Sequence, residues 1–580
     1  MINDEIADII YKMSIYVEMN DDKSSFFQSR ALRKGADVIS EFPYDFALPE
    51  WHLDIDKLTK IEGIGKKIAS YINEYVTTGK ISEYERLKKE SPIKLEELLH
   101  IQGLGPKKIK RLYNELGVTD IESLKVVAKK GLIAKLSGFG EKSQANILEN
   151  IEFAIVNKDR ISIALADNVI ADLLLYLKKD KNIIQIEPAG SYRRRKETVG
   201  DLDILISSKN PEKTIKHFVS YEKVEKILGE GKTKASVWLK QKLQCDLRVV
   251  DNKSFGAALQ YFTGSKEHNI SIRKIAVAKG YKLSEYGLFN RNTNELIESK
   301  SETVLYNKLE LSYIEPELRI GDDEIIAAKN SYALKNGKVL KNSPTLFLPK
   351  LVKLSDIKKD LHMHTVFSDG KNTVFEMAMA AIKLGYSKIG ISDHIGNLVI
   401  ANPIKDENRF KKYLKTIREA NESIKGIEIL ASGEVEVDVN GNLEFPNELL
   451  SQLDYVIAGI HMSTSMNKDT MTKRIINVLK NPNVKILAHP TGRLIGKRPP
   501  YEFDFNEVCK VAREEGVALE INAHPNRLDL NSRLVRKAKD LGCKISINTD
   551  AHSTDGLLLM KYGIDVARGG WITKVDLFDL

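Results

Sequence analysis

The chain has 580 residues, more than one hydrophobic core accommodates, so we expect at least three domains. Its only cysteines, Cys245, Cys509 and Cys543, are too few for a disulfide scaffold and too widely spaced for a zinc finger. The sequence shows neither a signal-peptide pattern nor an apolar run of membrane-spanning length. These features argue against a disulfide-rich secreted protein and an integral membrane protein, and they predict a cytoplasmic protein without a membrane partner.

Charge is distributed unevenly along the chain. The net charge is +9, yet residues 360–580 contain 29 basic and 29 acidic residues, so the whole excess lies in residues 1–359. A basic region joined to a neutral region rich in histidine suggests a polyanion-binding part tied to a metal-binding part. A solvated basic surface without any partner would give the same charge pattern, so the motifs must decide.

Three stretches of the N-terminal region repeat one pattern: KIEGIGKKIASYI, HIQGLGPKKIKRL and KLSGFGEKSQANI. In each, two glycines flank an apolar residue, a lysine lies four positions after the first glycine, and helical apolar spacing follows. Such a turn between two helices, with the free N–H groups of the second helix and the lysine, can bind a phosphate. The stretches resemble helix-hairpin-helix motifs, which bind the DNA backbone without reading its sequence. The predicted contacts are Gly63, Gly65, Lys67, Gly103, Gly105, Lys107, Gly138, Gly140 and Lys142.

The stretch IIQIEPAGSYRRRKETVGDLDILISS combines a glycine turn, an arginine cluster and two carboxylates. Alternate residues of a strand share a face, so Asp201 and Asp203 point the same way and repel each other unless a cation lies between them. A later predicted strand, KLQCDLRVV, adds Asp246. Alone, the Asp-x-Asp pair would more often be a solvent-facing strand, but the Gly-Ser turn and its arginines could bind a triphosphate beside two Mg²⁺ or Mn²⁺ ions.

GSYRRR, GDLDILI, CDLRV and YFTGS occur in the order found in the DNA polymerase beta group, so residues 10–335 resemble a family X DNA polymerase. The resemblance implies that Asp201, Asp203 and Asp246 are catalytic carboxylates that hold Mg²⁺ or Mn²⁺. It also implies that Arg273 reaches the template strand of the DNA. The nucleotide-binding residues implied by the resemblance are Gly190, Ser191, Arg194, Arg160, Tyr261, Phe262, Gly264 and Asn269.

One position departs from the family pattern. Members that remove a 5′ sugar-phosphate remnant use a lysine four residues after the lysine that Lys67 matches, and this chain has Tyr71 there. A phenol cannot form a Schiff base. We therefore predict no lyase activity of this type, unless Lys66, Lys67 or another lysine substitutes.

After residue 356, short β-rich runs alternate with helical ones, and the β-rich runs end in ionisable residues. Examples are YSKIGISDH, DYVIAGIH, NVKILAHP and CKISINTDAH. The alternation predicts a parallel sheet, and ligands at the carboxyl ends of its strands predict the active face of a (β/α) barrel. One histidine after an apolar run is usually structural, but six of them with acidic neighbours indicate two or three ions of Zn²⁺, Mn²⁺ or Fe²⁺.

The order HxH, Asp, DH, ExD, H, HPTGR, EIN and TDAH resembles the polymerase and histidinol phosphatase (PHP) domain, a distorted barrel that hydrolyses phosphoesters. The resemblance covers residues 357–580 and implies Glu436 as the bridging carboxylate, with Glu434 on the same strand face as the alternative. Arg493 would then clamp the substrate phosphate. The nine implied metal ligands are His362, His364, Asp369, His394, Glu436, His461, His489, Asp550 and His552.

Together, the motifs predict N-terminal all-α helix-hairpin-helix domains, an α+β nucleotidyltransferase palm and thumb, and a C-terminal distorted (β/α) barrel. The predicted protein is a monomeric DNA polymerase that fills short gaps in DNA repair from deoxynucleoside triphosphates and carries a metal-dependent 3′-5′ exonuclease or phosphoesterase. Alternatives are a metal-dependent nuclease or small-molecule phosphatase with an inactive polymerase part, and a DNA-binding scaffold. The predicted domains are 1–90 and 91–158 (hairpins), 159–255 (palm), 256–335 (nucleotide and template binding), 336–356 (linker) and 357–580 (PHP).

Overall fold

The computed structural model describes residues 2–19, 23–41, 46, 54–61, 63–99, 101, 104–141, 143–145, 147–148, 151, 160–337, 346–397 and 401–580. The chain divides into two compact units, one formed by Met1–Lys158 with Gly496–Pro499 and the other by Asp159–Ile495 with Pro500–Leu580. Within the described ranges, no helix combines the length and the apolar composition that a bilayer crossing requires.

The first unit is helical, as the apolar spacing of its sequence predicts. Its two longest helices, Ile2–Glu18 and Lys23–Glu41, pack against each other, and each presents an apolar stripe to one shared core. Ile10, Ile39 and Ile72 are fully buried in that core. The shorter helices are Ile55–Thr59, Lys66–Thr78, Ser82–Glu90, Leu95–Leu99, Pro106–Leu116 and Ile121–Lys129, with a 3₁₀ turn at Ile133–Lys135.

The second unit begins with a mixed sheet that carries carboxylates on one face. Its spatial order is β2 (Ile183–Pro188), β4 (Asp201–Ser208), β7 (Leu243–Val250), β6 (Lys234–Leu239) and β5 (Val224–Glu230), while β1 (Ile161–Ser162) pairs with β3 (Thr198–Val199). Helices Ile163–Leu177 and Pro211–Val219 pack on the apolar face, and helix Gly190–Arg193 follows β2. Along β7, alternate residues are buried, so Asp246 lies on the face opposite to the core.

A smaller subdomain follows this sheet. It consists of helices Phe255–Thr263 and Lys266–Ala278, an antiparallel sheet of β8 (Tyr281–Ser284), β9 (Gly287–Asn290) and β10 (Leu296–Glu298), and helices Glu302–Lys308 and Asp323–Lys335. Arg319 is fully buried between the rings of Tyr306 and Tyr313, at 5.3 and 5.4 Å from their centroids. Its charge is compensated by Glu302, whose carboxylate lies 2.7 Å from Arg319 Nη1.

The rest of the unit is a distorted parallel barrel. One sheet contains β11 (Lys359–Asp360), β12 (Lys388–Ile391) and β14 (Glu428–Ala431). The other contains β13 (His394–Ile395), β15 (Glu434–Glu436), β16 (Val456–Gly459), β17 (Val484–Leu487), β18 (Ala518–Asn522) and β19 (Ile545–Asn548). Strands β12 and β14 continue into β13 and β15, and a parallel bridge between Met363 and Ala551 joins the two ends. Because neighbouring strands are parallel, their carboxyl ends share one face.

Local sequence determines where the barrel helices begin. Five of them start after a polar residue whose side chain accepts a hydrogen bond from a backbone N–H of the first turn: Thr373, Asp406, Asn467, Asp504 and Asn531. The strands between them are almost wholly buried, as expected where helices cover a parallel sheet, and β18 and β19 also carry buried polar residues. The barrel helices are Val374–Lys383, Glu407–Ser423, Asn447–Leu450, Lys468–Leu479, Phe505–Glu514, Ser532–Asp540 and Met560–Gly569.

The palm sheet and the barrel are not separated by solvent. Buried apolar side chains of both belong to one continuous cluster, which includes Leu173 and Phe218 of the palm and Ile391 and Leu557 of the barrel. Trp571, which follows the last barrel helix, lies in the core of the smaller subdomain. The polymerase-like part and the barrel therefore fold around shared surfaces.

Gly390 of β12 lies where the barrel has no room for a side chain. A Cβ there would come within 1.7 Å of Tyr455 Oη and 3.1 Å of the Leu361 carbonyl oxygen, which Tyr455 binds at 2.5 Å. We expect Gly390→Ala to destabilise the protein by about 1–3 kcal/mol, because either the hydroxyl or the strand must move. Thermal unfolding should show a melting temperature lower by about 2 °C or more, since the unfolding entropy of so large a unit keeps the shift small.

The matched control is Gly229→Ala in β5, where an added Cβ would meet no atom within 4 Å. Its melting temperature should stay within about 1 °C of the wild type, since an exposed strand accepts alanine readily. Equal melting temperatures for the two variants would contradict the assignment of steric strain to Gly390.

Candidate active sites

The turn glycines of the first and third hairpins have the backbone conformation that the sequence predicts. The φ angles of Gly63 and Gly138 are 97° and 78°, in the left-handed region that favours glycine. A Cβ at Gly63 would also approach Val38 Cγ2 to 2.8 Å. Gly103 and Lys142, predicted as contacts of the same kind, lie outside the described residues.

The second glycine of each hairpin stands at the start of the following helix. Gly65 and Gly105 are extended N-caps with φ of −82° and −84°, and neither makes a side-chain cap. A Cβ at Gly65, Gly105 or Gly140 would meet nothing within 4 Å, so a ligand could approach the free N–H groups closely. Lys67 and Lys107 are exposed in the first turns of their helices. This is the geometry of a phosphate site.

Tyr71 lies in the core of the first unit and is 6% exposed. Burial, followed by the nearby carboxylates of Glu83 and Glu74, raises the pKa of Tyr71 to about 12. The side chain is therefore a neutral, inaccessible phenol at physiological pH.

The palm sheet brings the three predicted carboxylates to one face. β4 and β7 are parallel with Asp203 directly opposite Asp246, and Asp201 precedes Asp203 by two residues on the same face. Burial, together with the charges of Asp201 and Asp246, raises the pKa of Asp203 to about 6. Gln244 Nε2 donates to Asp246 Oδ1 at 2.9 Å. Such a cluster of like charges is costly unless cations bind to it.

The glycine of the Gly-Ser turn is required by the approach of Asp203. Gly190 has a φ of 59°, and a Cβ there would lie 2.2 Å from Asp203 Oδ2. Ser191 is the next residue of helix Gly190–Arg193, so both lie beside the carboxylates. Arg160 donates from Nε to Thr198 Oγ1 at 2.9 Å, which anchors it to β3 at the edge of this turn.

The three consecutive arginines after this turn point to three different parts of the second unit. Arg193 binds Glu302 of the smaller subdomain, with Nη2 to Oε2 at 2.6 Å. Arg194 donates from Nη1 to the carbonyl of Thr263, and its buried Nε has no hydrogen-bond partner among the described residues. Arg195 turns the other way, to Asp565 of the barrel. Of the three, only the middle arginine has a buried donor without a partner among the described residues, and this donor could serve a phosphate.

The remaining predicted nucleotide contacts surround Tyr261. Asn269 donates from Nδ2 to the Tyr261 carbonyl at 2.7 Å and accepts from Gln260 Nε2 at 2.8 Å, so its amide is engaged inside the protein. Phe262 lies under the guanidinium of Arg248, 4.8 Å from its ring centroid. Gly264 has a φ of 70°, and a Cβ there would lie 3.0 Å from Arg194 Nη1. Arg273 lies in the middle of helix Lys266–Ala278 and donates from Nε to the Asn269 carbonyl at 3.1 Å.

At the carboxyl ends of the barrel strands, histidines converge on one buried carboxylate, Glu434. Glu434 Oε2 lies 3.0 Å from His394 Nδ1 and 3.4 Å from His362 Nε2, and Oε1 lies 3.2 Å from His461 Nε2 and 2.9 Å from His489 Nε2. Burial opposes the charge of Glu434, but the surrounding imidazoles hold its pKa well below the usual range. An anion that touches histidines on several sides is the natural bridge between metal ions.

Asp550 and Asp369 complete this cluster. Asp550 Oδ1 lies 3.0 Å from His364 Nε2, and Asp369 Oδ1 lies 3.3 Å from His552 Nε2. Among the described residues, three groups of side chains each bring their possible ligand atoms within 4.8 Å of one another. They are His364 with Asp369, His394 and His552; His362 with His364 and Glu434; and His394 with Glu434 and His461. The structure therefore contains clusters that could hold divalent ions.

The protonation and the backbone of the ligands suit metal binding. Burial, with the neighbouring rings of His552 and His394, lowers the pKa of His364 to about 3, so this imidazole keeps a lone pair. The buried Nδ1 atoms of His364 and His489 have no hydrogen-bond partner among the described residues. His489 and Asp550 have φ of 28° and 53°, conformations that non-glycine residues rarely adopt without a compensating contact. Imidazole nitrogens without a hydrogen-bond partner and residues in a rare backbone conformation are what a site for metal ions would show.

Of the two glutamates considered for the central position, the structure sets Glu434 rather than Glu436 among four of the predicted ligand histidines. Both residues lie on the same face of β15, as alternation requires, and both are buried, but they have different partners. Glu436 lies beyond the cluster, where it accepts from His461 Nδ1 at 2.7 Å and from the backbone N–H groups of His461 and Met462. It orients a ligand from behind.

Arg493, expected to clamp a substrate phosphate, instead faces the palm. Its Nη1 and Nη2 donate to Glu197 at 3.1 and 2.5 Å, and Nη2 also reaches the Leu528 carbonyl. Arg527 is the arginine nearer to the cluster, with Nε 3.9 Å from Asp550 Oδ2. Its buried Nη1 has no hydrogen-bond partner in the described part of the chain.

Sequence reasoning also missed the residues that support the cluster. Glu520, fully buried on β18, accepts from His362 Nδ1 at 2.8 Å, from Asn548 Nδ2 at 2.9 Å and from the His489 backbone N–H at 2.7 Å. Asn522 donates to Asp550 Oδ2 at 2.9 Å. A buried acid in an apolar strand was the available signal in VALEIN, since it must have partners.

Five family models match successive parts of the chain, in the same order as the helical unit, the palm sheet, the smaller subdomain and the barrel. Residues 1–81 match a helix-hairpin-helix domain and residues 95–152 a SAM-like helix-hairpin-helix tandem. Residues 162–273 match the DNA polymerase beta palm, residues 258–320 the DNA polymerase beta thumb, and residues 360–524 the PHP domain.

Individual relatives cover either the whole chain or the barrel alone. The DNA polymerase/3′-5′ exonuclease PolX of Bacillus subtilis (strain 168) is 37% identical over 569 residues, which is 98% of this chain and 95% of that protein. A protein named "Probable phosphatase" from Thermoanaerobacter sp. (strain X514) is 32% identical over 229 residues, 37% of this chain and 87% of its own. Another of that name, from Acetivibrio thermocellus, is 31% identical over 202 residues, 33% of this chain and 78% of its own. With a relative of such length and identity and with palm, thumb and PHP domains in this order, the chain belongs to the family X DNA polymerases that carry a C-terminal PHP domain.

Proposed function

We propose that this protein extends a DNA primer across short gaps during DNA repair and shortens 3′ ends at its barrel site. The observation that carries the first activity is the register of β4 and β7, which sets Asp203 opposite Asp246 beside the Gly190 turn. Mg²⁺ or Mn²⁺ ions between these carboxylates would activate the primer hydroxyl and neutralise the departing phosphate oxygens. The full-length relative from Bacillus subtilis, named as a polymerase and 3′-5′ exonuclease, supports both activities.

The protein's own groups would hold the deoxynucleoside triphosphate. Ser191 and Arg194, with the backbone of the Gly190 turn, would bind the phosphates, and Arg160 would contribute positive charge from the edge of the turn. Tyr261 and Phe262 would flank the sugar next to Gly264, where a side chain would collide with Arg194. Asn269 keeps a second amide hydrogen and a second oxygen lone pair for a base edge beside its two internal hydrogen bonds, and Arg273 would face the template strand.

The barrel site would hydrolyse a terminal phosphodiester of the same DNA. Glu434 would be the shared carboxylate, and the other ligands would be His362, His364, Asp369, His394, His461, His489, Asp550 and His552. Two or three ions of Zn²⁺, Mn²⁺ or Fe²⁺ would supply Lewis-acid activation of water and of the phosphate. Arg527 rather than Arg493 would bind the phosphate, because Arg527 Nε lies 3.9 Å from Asp550 of the cluster whereas Arg493 is paired with Glu197.

The hairpin unit would hold gapped or primer-template DNA by its backbone. Its helix N-termini at Gly65, Gly105 and Gly140 are open, and together with the exposed Lys67 and Lys107 they favour phosphate without favouring a sequence. We propose further that the protein is a monomer, that it works in the cytoplasm, where its three free cysteines stay reduced, and that its domains divide near residues 90, 158, 255, 335 and 356.

The two activities should separate by mutation. In a one-nucleotide gap, a 5′-labelled primer should lengthen with deoxynucleotides and shorten without them, in Mg²⁺ or Mn²⁺. Asp201→Ala/Asp203→Ala should lose only extension, because the barrel ligands remain, and His362→Ala/His364→Ala should lose only shortening. Gel electrophoresis measures both. If the primer shortens under all conditions and never lengthens, the polymerase proposal fails and a nuclease with a DNA-holding arm remains.

DNA binding should depend steeply on salt. We expect Lys67→Ala/Lys107→Ala to lower the slope of log affinity against log salt by about 0.9 for each lost phosphate contact. Fluorescence anisotropy with two unrelated DNA sequences measures this slope and should give the same change for both. Lys89→Ala, an exposed lysine on helix Ser82–Glu90, is the control and should leave the slope unchanged. Equal slopes for all proteins would contradict phosphate binding at the hairpins.

The two glutamates of β15 should differ in their effect on metal. Glu434→Gln should remove at least one bound ion, because this carboxylate lies among four ligand histidines. Glu436→Gln should keep the number of ions and weaken binding by about 10–100-fold, as loss of a supporting hydrogen bond does. Elemental analysis after dialysis against a chelator measures both. The reverse order would restore Glu436 as the central ligand.

A further inference from the structure

An ion pair joins the barrel to the segment that follows the triphosphate arginine. Glu197 of the palm accepts from Arg493 Nη1 at 3.1 Å and from Nη2 at 2.5 Å, so the contact is a two-pronged guanidinium–carboxylate pair. Arg493 is 8% exposed, and its Nη2 is also fixed by the Leu528 carbonyl of the barrel. The Glu197 side chain is 37% exposed, but the two-pronged contact with a buried, fixed guanidinium restricts its geometry more than a single hydrogen bond would.

A second contact from the barrel reaches the same segment. Arg195 donates from Nη1 to Asp167 Oδ1 of the palm and from Nε to Asp565 Oδ2 of helix Met560–Gly569, both at 2.7 Å. Its φ of 51° lies in the left-handed region, which is unfavourable for an arginine unless contacts of the side chain or backbone stabilise it. Lys561, on the same barrel helix, lies 3.1 Å from the other oxygen of Asp167. The barrel thus contacts this segment through two separate elements.

The segment between these contacts carries Arg194. Arg194 directly precedes Arg195 and lies three residues before Glu197, and its side chain donates to the Thr263 carbonyl. On the other side, Arg193 is bound to Glu302 of the smaller subdomain. The position of the Arg194 backbone is therefore determined by neighbours that belong to other parts of the unit.

We propose that Arg493 and Asp565 of the barrel are positioning residues for nucleotide incorporation. They hold residues 195–197 so that Arg194 is presented to the triphosphate, and this role rests on the proposed polymerase function. The barrel then contributes to polymerisation through its structure, separately from its own metal cluster. Loss of the brace lets Arg195 leave its left-handed conformation and shifts Arg194, and small displacements of a binding group cost up to about a hundredfold in rate.

Steady-state incorporation of one nucleotide into gapped DNA tests this role. Glu197→Gln, which preserves side-chain size, and Arg493→Gln should each lower kcat/KM for the deoxynucleotide by about tenfold or more. Affinity for DNA should stay within about twofold, because the hairpin unit is untouched. Arg493→Lys keeps the charge without the two-pronged geometry and should recover only part of the loss.

A double-mutant cycle separates positioning from general stabilisation. Glu197→Gln/Arg493→Gln should be no worse than either single variant, because each already breaks the same pair. Arg418→Gln is the matched control: it removes a two-pronged pair with Asp454, at 2.8 and 2.9 Å, that lies wholly within the barrel, and it should leave incorporation unchanged. Melting temperature and metal content of all variants are measured alongside.

Three outcomes overturn the proposal: single variants with the kcat/KM of the wild type, losses that add in the double variant, or a parallel loss of incorporation in Arg418→Gln. A variant that melts early is replaced by Asp565→Asn, which breaks the second contact and should give the same fall in kcat/KM for the nucleotide with unchanged DNA affinity. Failure of the wild type itself to extend the primer would instead refute the polymerase proposal, so the two failures are distinguishable.

Discussion

Carboxylates that face one another inside the protein need compensating charge, and both sites of the second unit are built around this requirement. In the palm, Asp203 lies opposite Asp246 and close to Asp201, and its pKa is raised because burial and like charges disfavour its ionised form. In the barrel, Glu434 and Asp550 are buried and kept ionised by surrounding imidazoles. The folds differ, but in each the free-energy cost of burying a charged cluster is offset by the apolar packing around it.

The sequence predicted the fold class and the position of the barrel cluster because both depend on repeated local patterns. Ionisable residues at the ends of successive apolar runs must share a face when the strands are parallel. Which of Glu434 and Glu436 lies among the histidines was not predictable, because alternation assigns both to one face. The answer depends on which histidines the neighbouring strands bring to each glutamate, and that is a property of the closed barrel.

Arg493 shows a second limit of sequence reasoning. A histidine, a proline turn and an arginine after a strand resemble a phosphate site, and the residue does lie beside the metal-ligand strand β17. Its partner, Glu197, is almost 300 residues away in the sequence, and no local pattern connects the two. Likewise, GSYRRR reads as a simple positive patch, whereas only Arg194 keeps a buried donor without a protein partner among the described residues. Long-range pairing decides which charges are free.

The continuous core of palm and barrel has a consequence for how such chains can change over evolutionary time. Relatives named as phosphatases match the barrel alone, so a barrel of this kind can exist as a free-standing protein. Here the barrel surface carries Arg493, Asp565 and Trp571, whose partners are a palm carboxylate, a palm arginine and the core of the smaller subdomain. Exchange of this barrel for one from another lineage would leave Glu197 and Arg195 without partners and open an apolar seam. The two catalytic domains are thus expected to be inherited together, as one mutually adapted block.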